Sequence, residues 1–573
     1  MFLRLCTRTI PLRQSKKNIT DMKEPLHFLD RIQKVVTDKW DQVGMSDFQG
    51  RDFTYREIAT RMIKLHLMYE RLGIADGQKI ALSGKNSANW GMTFLSILSD
   101  HKVAVPILVG FKPDSLTGLV NHSESVLFFT EDKTAAQVKT DAAPMLKAII
   151  SIDTFKCIWA REDSLREVID GTDEAFESKY PTGITREDVN FHSDDLDSLM
   201  IINYTSGTTG DPKGIMLNGR SISTNVQFGI EFIPVKYTDT SISMLPLAHM
   251  YGLTFEFVYT FAGGSHVYFV GKALSPSLLM KVFADVRPYI LITVPLVMEK
   301  IIKGKVIPTL EKPAIRRITR IPVLGKAFYR IVGKKVLKAL GGNVRMIPIG
   351  GAPLNRRVEE VMKLIGLPYA VGYGMTECGP LAAWVNSGDH AFGSCGRAMA
   401  EYEEVRIDSF KPDTIPGEIQ IRGKQVMMGY FHNPEAEKEA FTEDGWLRTG
   451  DLGVMDQDGN IFIKGRSKCM ILSANGQNIY PEEIEHLVNN LPGISESVVV
   501  GRGKDNILVA LITLNGEYLK QLPEDTTVEQ LLADNLITLN AQLPSYSKIS
   551  KFEIVEGGFE HTPKQSIKRN LYS

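Results

Sequence analysis

Residues 204–214 gather three glycines (Gly207, Gly210, Gly214), four aliphatic hydroxyls (Thr205, Ser206, Thr208, Thr209) and Lys213. Glycines let backbone N–H groups come close to an anion, and the hydroxyls add short donors. Lys213 brings a positive charge suited to phosphate. The apolar stretch from Leu199 to Ile202 just before the loop reads as a buried strand feeding a tight turn. The chemistry on offer is retention of a nucleotide's phosphates; the alternative is a glycine-rich surface turn. It is not a Walker loop, because Pro212 precedes Lys213 and Gly214 follows it.

Five further blocks stand downstream in a fixed order. They are Leu245 to Gly252, containing His249 and Tyr251; Gly350-Gly351-Ala352-Pro353-Leu354; Gly372-Tyr373-Gly374-Met375-Thr376-Glu377; Arg448 to Gly453, containing Asp451; and Gly465-Arg466-Ser467-Lys468. The last leads into Asn475-Gly476 and Pro481-Glu482-Glu483. Together with the first loop, this series resembles the adenylate-forming, acyl-activating superfamily, and most of all its bacterial long-chain fatty acyl-CoA synthetases.

Some of these blocks can be read on their own chemistry. The short apolar strand ending at Gly350-Gly351 exposes bare backbone at a strand's C-terminal end, where a ligand can approach. A carboxylate in a triphosphate site repels its ligand unless a cation intervenes. Glu377 therefore reads as a magnesium ligand helped by Thr376, the alternative being a solvated loop glutamate. Asp451 precedes a turn and by itself is ordinary turn chemistry. His249 lies in an apolar segment and reads as a pocket wall, with no proton transfer assigned to it.

The resemblance implies more. The nucleotide site would comprise Thr205, Ser206, Gly207, Thr208, Thr209, Gly210, Lys213, Gly350, Gly351, Ala352, Tyr373, Gly374, Met375, Thr376, Asp451 and Arg466. Within it Tyr373 would stack on adenine, Asp451 would accept from the ribose hydroxyls, and Arg466 would contact sugar or phosphate. Lys213, Thr376 and Glu377 would carry catalysis with Mg2+. His249 and Tyr251 would line the acyl pocket, Lys468 would be a hinge between two half-reactions, and Asn475 and Gly476 would meet coenzyme A.

One position departs from the family pattern. Aligned on Thr562-Pro563 and Lys568-Arg569, the place of the usual C-terminal adenylation lysine holds Ser566. Lys564 and Lys568 flank it two residues away, on the same face of an extended strand; Lys564 is the choice here. The reaction implied is ATP-dependent conversion of a fatty acid to acyl-adenylate, then transfer to coenzyme A. Alternatives are transfer to an acyl carrier protein, use of an aromatic acid, or a noncatalytic AMP-binding regulator, the last prompted by Ser566. Phe228, Phe232, Phe255, Phe257, Tyr259 and Phe261 favour a greasy pocket, the alternative being plain core, the commoner place for aromatics at such spacing.

The elements that must hold these residues follow from the pattern. Short apolar strands alternate with amphipathic helices from about 50 to 350, as in 80–83, 103–106 and 127–130, which is the signature of parallel α/β sheets. Glycine-punctuated short strands mark a β subdomain at about 390–465. The expected fold is α/β: a large N-terminal domain (22–466) of two parallel-type sheets plus that subdomain, a hinge at 467–470, and a small α+β domain at 471–573. In the last, Pro481 opens a helix with Ile484, Leu487, Val488 and Leu491 on one face.

At 573 residues, 43% apolar and 23% charged, the chain has an ordinary globular composition and room for more than one domain. A net charge of −1 gives no global field for nucleic acid. Five cysteines without paired spacing suit a reducing, cytoplasmic setting and exclude a zinc site built from sequence-near pairs. No apolar run reaches a membrane span. Residues 1–21 are basic at first and lack the apolar core of a secretory signal; they read as an extension or as sequence ahead of a true start at Met22. Residues 300–338 break the charge balance with twelve Lys/Arg and the single acid Glu311. Interleaved with apolar residues, they read as helices for peripheral contact with an anionic membrane, such as the inner membrane's surface.

Overall fold

The computed structural model describes residues 21–191, 195–205, 212–386, 389, 391–399, 401–472, 477–503, 506–520, 522, 526–561 and 567–572. Ser206, Gly207, Thr208, Thr209, Gly210, Asn475, Gly476 and Lys564 lie outside these.

Two sheets share one core. The larger has eight strands in the order Gly429–Tyr430, Lys213–Asn218, Leu199–Thr205, Val103–Pro106, Lys79–Leu82, Ser125–Thr130, Ala148–Ser151 and Cys157–Ala160. Val103–Pro106 and Ser125–Thr130 are buried at every position, which is why they read as unbroken apolar runs rather than alternating ones. The expectation of parallel pairing holds at the centre only. The pair Leu199–Thr205 with Lys213–Asn218 is antiparallel, as are both edge pairings. Hairpin return is the reason: seven residues between Thr205 and Lys213 are too few for a parallel crossover.

The second sheet runs Thr240–Ser243, His266–Phe269, Val43–Asp47 and Asp52–Thr54. Parallel bridges through Ile290 and Thr293 carry it on to Ile347–Ile349, Tyr369–Gly374 and Leu381–Asn386. Helix Ala88–Ser99 is buried at every position but Asn89 and touches both sheets. Its Ser87 cap satisfies the Trp90 amide, one of the donors a helix start leaves open. Trp90 stacks on Phe94 at 5.5 Å inside this layer. The two sheets therefore cannot slide without breaking a packed interior.

Residues 403–466 form a four-stranded antiparallel sheet, ordered Glu403–Asp408, Gly417–Gly423, Leu447–Met455 and Ile461–Arg466. Beyond it, Ile494–Arg502 pairs antiparallel with Ile507–Leu514, and Lys551–Ile554 adds in parallel. Helix Pro481–Val488 buries Ile484 and Val488 against this small sheet, in a core separate from that of the two large sheets.

Candidate functional site

Strand pairing sets Thr205 directly opposite Lys213, so the two ends of the glycine-rich segment are held side by side. The Lys213 ammonium sits 4.9 Å above the Tyr430 ring, a cation–π contact. Tyr430 belongs to the two-residue strand that pairs with Ile215 and Met216. Its phenol donates to Glu377 Oε1 at 3.0 Å. Tyr430 thus links the loop lysine to the carboxylate 164 positions away, and no feature of its own sequence neighbourhood singles it out.

Glu377 sits on one turn of 3-10 helix, Thr376–Cys378, after the strand Tyr369–Gly374. The loop is held from three sides. Met375 N–H donates to the Pro380 carbonyl at 2.9 Å, and a Cβ on Gly374 would fall 1.9 Å from that oxygen, so only glycine fits. Buried Asn225, from helix Gly219–Phe232, donates to the Cys378 carbonyl and accepts from the Leu381 amide, each at 2.9 Å. Met427 N–H donates to the Glu377 carbonyl at 2.8 Å. The carboxylate is presented by a clamped backbone.

Asp451 and Arg466 are cross-strand partners. Arg466 Nε lies 3.0 Å from Asp451 Oδ1, and the Tyr373 hydroxyl donates to Oδ2 at 2.7 Å. The Asp451 carboxylate holds the Arg466 guanidinium's pKa above its usual value against the effect of burial. Burial, then the same carboxylate, pushes the Tyr373 phenol well up, so it stays a donor. Lys468 follows in the turn Ser467–Cys469.

Tyr373 and Thr376, the neighbour of Glu377, line one apolar cleft. His249 and Tyr251 line it together with Gly350, Gly351 and the run Gly372–Thr376, so both proposed acyl-pocket residues meet the nucleotide-side glycines. Ala352 is exposed beside them. The rest of the wall is apolar: Phe228, Gly229, Ile233, Phe255, Tyr259, Ile290, Ile292, Leu381 and Trp384. Three aromatics expected there are elsewhere. Phe257 and Phe261 are fully buried in the general core, where Phe257 packs against Phe94 and Phe269 and Phe261 against Tyr55. Phe232 instead stacks on Phe228 at 4.4 Å.

The His249 loop is pinned by three polar side chains that the sequence did not mark. Asn203 donates to the Ala248 carbonyl at 2.9 Å, and Asn86 to the Leu245 carbonyl at 2.7 Å. Glu256 accepts from the Met244 and Leu245 amides at 2.9 and 2.8 Å, leaving Oε1 without a partner among the described residues. Burial pushes the Glu256 carboxyl well above the usual range, despite those two donors.

The magnesium expectation can be tested on the donor set. Among the described residues no group of three His, Cys, Asp or Glu could hold a metal. Magnesium is commonly held through one or two carboxylates, phosphate oxygens and waters. Glu377 with Thr376 therefore fits an ion arriving with a polyphosphate, not a resident cage. Among the described residues nothing marks a cysteine nucleophile: Cys378 and Cys395 are buried, and burial pushes the Cys469 thiol up to about 11. At the C-terminus Lys568 pairs with Glu560 at 3.1 Å and Arg569 with Glu485.

Comparison with known proteins follows the same lines. A family model described as AMP-binding enzyme matches residues 32–431, and one for the AMP-binding enzyme C-terminal domain matches 469–573. The long-chain-fatty-acid–CoA ligase FadD15 of Mycobacterium bovis is 28% identical, over 91% of this chain and 90% of its own length. The rat long-chain-fatty-acid–CoA ligase 5 is 26% identical, over 90% and 80%. Among solved structures, ATP-bound MatB from Rhodopseudomonas palustris superposes with a TM-score of 0.75 at 22% identity, covering 96% of this chain and 98% of its own. The o-succinylbenzoate CoA synthetase MenE of Bacillus subtilis, solved with ATP and a magnesium ion, gives 0.72 at 19%, covering 96% and 99%. At those identities the structural likeness speaks for the fold.

Proposed function

The chain belongs to the AMP-binding enzyme family, and from that premise we propose that it activates a long-chain fatty acid with ATP and transfers the acyl group to coenzyme A. One observation carries the reading. Tyr373 and Thr376 line a single apolar cleft; Tyr373 is bonded to the Asp451–Arg466 pair, and Thr376 precedes Glu377, which Tyr430 joins to Lys213, an arrangement that fits a nucleotide at the rim and a hydrocarbon chain inside.

In the first half-reaction a carboxylate oxygen attacks the α-phosphorus and pyrophosphate leaves. Two anions at ~4 Å repel by about 4 kcal/mol at an effective dielectric near 20. Lys213 and the backbone and hydroxyl donors of residues 205–210 offset that repulsion and take up charge on the departing pyrophosphate. Magnesium that accompanies ATP would be held by Glu377 and Thr376 and would neutralise phosphate charge. Tyr373 and Arg466 hold the Asp451 carboxylate still for the ribose hydroxyls, while the Tyr373 ring and the Gly350-Gly351-Ala352 and Gly374-Met375 backbone receive adenine. His249 and Tyr251 line the acyl chamber. We assign the C-terminal cation to Lys564, which stands two residues before Ser566, the residue at the family's usual lysine position.

In the second half-reaction the thiol of coenzyme A attacks the acyl carbonyl, the C–O bond to AMP breaks, and AMP leaves. Asn475 and Gly476 belong to the coenzyme's path, and Lys468 to the hinge that exchanges one face of the small domain for another. Contact with an anionic membrane through residues 300–338 suits an acid that dissolves in bilayers. A panel of carboxylic acids scored for AMP with and without coenzyme A tests the reading. Long-chain acids should give coenzyme-dependent AMP. Equal release with an acyl carrier protein in place of coenzyme A, or preference for aromatic acids, would contradict it.

A further inference from the structure

Residues 312–324 stand off the body of the protein. Helix Pro313–Thr319 buries no residue, and none is buried from Glu311 through Leu324. A loose strand of chain is not the explanation. Helix Pro322–Ala339 folds back on Pro313–Thr319, and a Cβ on Gly325 would fall 2.7 Å from the Thr319 carbonyl oxygen. Further along, Val332, Gly333 and Val336 anchor the second helix in the core. The result is a rigid helical hairpin with a free tip.

The tip is apolar where water should favour polar side chains. Val323 is 79% exposed, Ile321 and Ile331 are each 52%, and Leu324 is 51%. Around them stand Arg316, Arg317, Arg320, Lys326, Arg330 and Lys334, none within ion-pair distance of an acid among the described residues. Apolar tip residues ringed by unpaired cations fit the boundary between headgroups and acyl chains, where each kind of group finds its solvent.

We propose that the hairpin 313–331 is a membrane-insertion element that seats Ile321, Val323 and Leu324 among the acyl chains of an anionic bilayer and its arginines among the headgroups. This deepens the placement of the enzyme at a bilayer and rests on that placement, not on the chemistry of the cleft. A second copy of the chain would bring like charges together. Nucleic acid would leave the apolar tip unmatched.

Vesicle flotation of the full chain tests it, with phosphatidylcholine vesicles against vesicles that also contain phosphatidylglycerol. The wild type should float with the anionic vesicles only and release as salt rises. Val323→Asp with Leu324→Asp, and separately Arg316→Glu, Arg317→Glu and Arg320→Glu together, should each cut the bound fraction by about tenfold or more. Vesicle-free ligase activity on a dispersed acid should stay unchanged and certifies folding of each variant. Three results overturn the proposal: no wild-type flotation, equal flotation with neutral vesicles, or variants that float like wild type. If flotation fails while ligase activity persists, the hairpin loses its role and the reading of the cleft stands.

Discussion

Tyr430 is the side chain on which the phosphate-side geometry turns, since one phenol orients the Glu377 carboxylate while its ring supports Lys213. Tyr430→Phe keeps the ring and removes the hydrogen bond. A bond to a charged acceptor is worth about 1.5–3 kcal/mol, so carboxylate-dependent pyrophosphate exchange should fall by about tenfold or more. Transfer from preformed acyl-adenylate should be spared; exchange at the wild-type rate would remove Tyr430 from the account. Glu256 gives a prediction in pH. Its folded-state pKa is raised, so the native state binds the proton more tightly, and stability declines as pH climbs past the unfolded value. Glu256→Gln cannot titrate and should flatten the fall in denaturant midpoint as pH rises above the ordinary glutamate value of 4.5. A slope equal to wild type would show that Glu256 is ionised in the fold. At this scale the sequence was legible where residues cluster, as in Thr376-Glu377 or Asp451. Tyr430, Asn225 and Glu256 escaped it because their meaning lies in partners far along the chain or in burial, neither of which leaves a local signature.

Elements explain what fills the acyl chamber. Helix Gly219–Phe232 presents Phe228 and Gly229 to the cleft, and a Cβ on Gly229 would stand 2.7 Å from Tyr259 Cδ2. Tyr259 is tethered through its hydroxyl to the Ile233 carbonyl, so its ring has little freedom to retreat. Gly229→Ala should therefore narrow the chamber and shift kcat/KM from longer toward shorter acids by about tenfold, the scale of one methylene in a tight pocket. An unaltered chain-length profile in a competition assay would exclude Gly229 from the acid's path. Strands such as 103–106 and 125–130 were readable from their apolar runs. Antiparallel edges were not, since pairing direction depends on connections rather than composition. The strand Gly429–Tyr430 is too short for any period to register. Phe257 and Phe261 serve the core because each stands two residues from a cleft-lining aromatic, Phe255 or Tyr259, which on a helix is close to the opposite face.

At the scale of the whole molecule, the small C-terminal core and the large one form separate packed clusters among the described residues. The contacts between them include Lys464 with Glu483 at 2.9 Å and the Arg356 amide with His486 at 3.1 Å. Polar, replaceable contacts of this kind suit a domain that must present two faces in turn. Lys564→Ala should accordingly slow acyl-adenylate formation far more than thioester formation from supplied adenylate; equal losses would reject the assignment. The most direct measurement follows oxygen. A fatty acid carrying oxygen-18 in its carboxylate is incubated with the enzyme, MgATP and coenzyme A, and the AMP is weighed by mass spectrometry. Attack by the carboxylate on the α-phosphorus, then cleavage of the acyl C–O bond, leaves one labelled oxygen on each AMP. Acyl-CoA formed alongside unlabelled AMP would contradict the mixed anhydride on which the account depends.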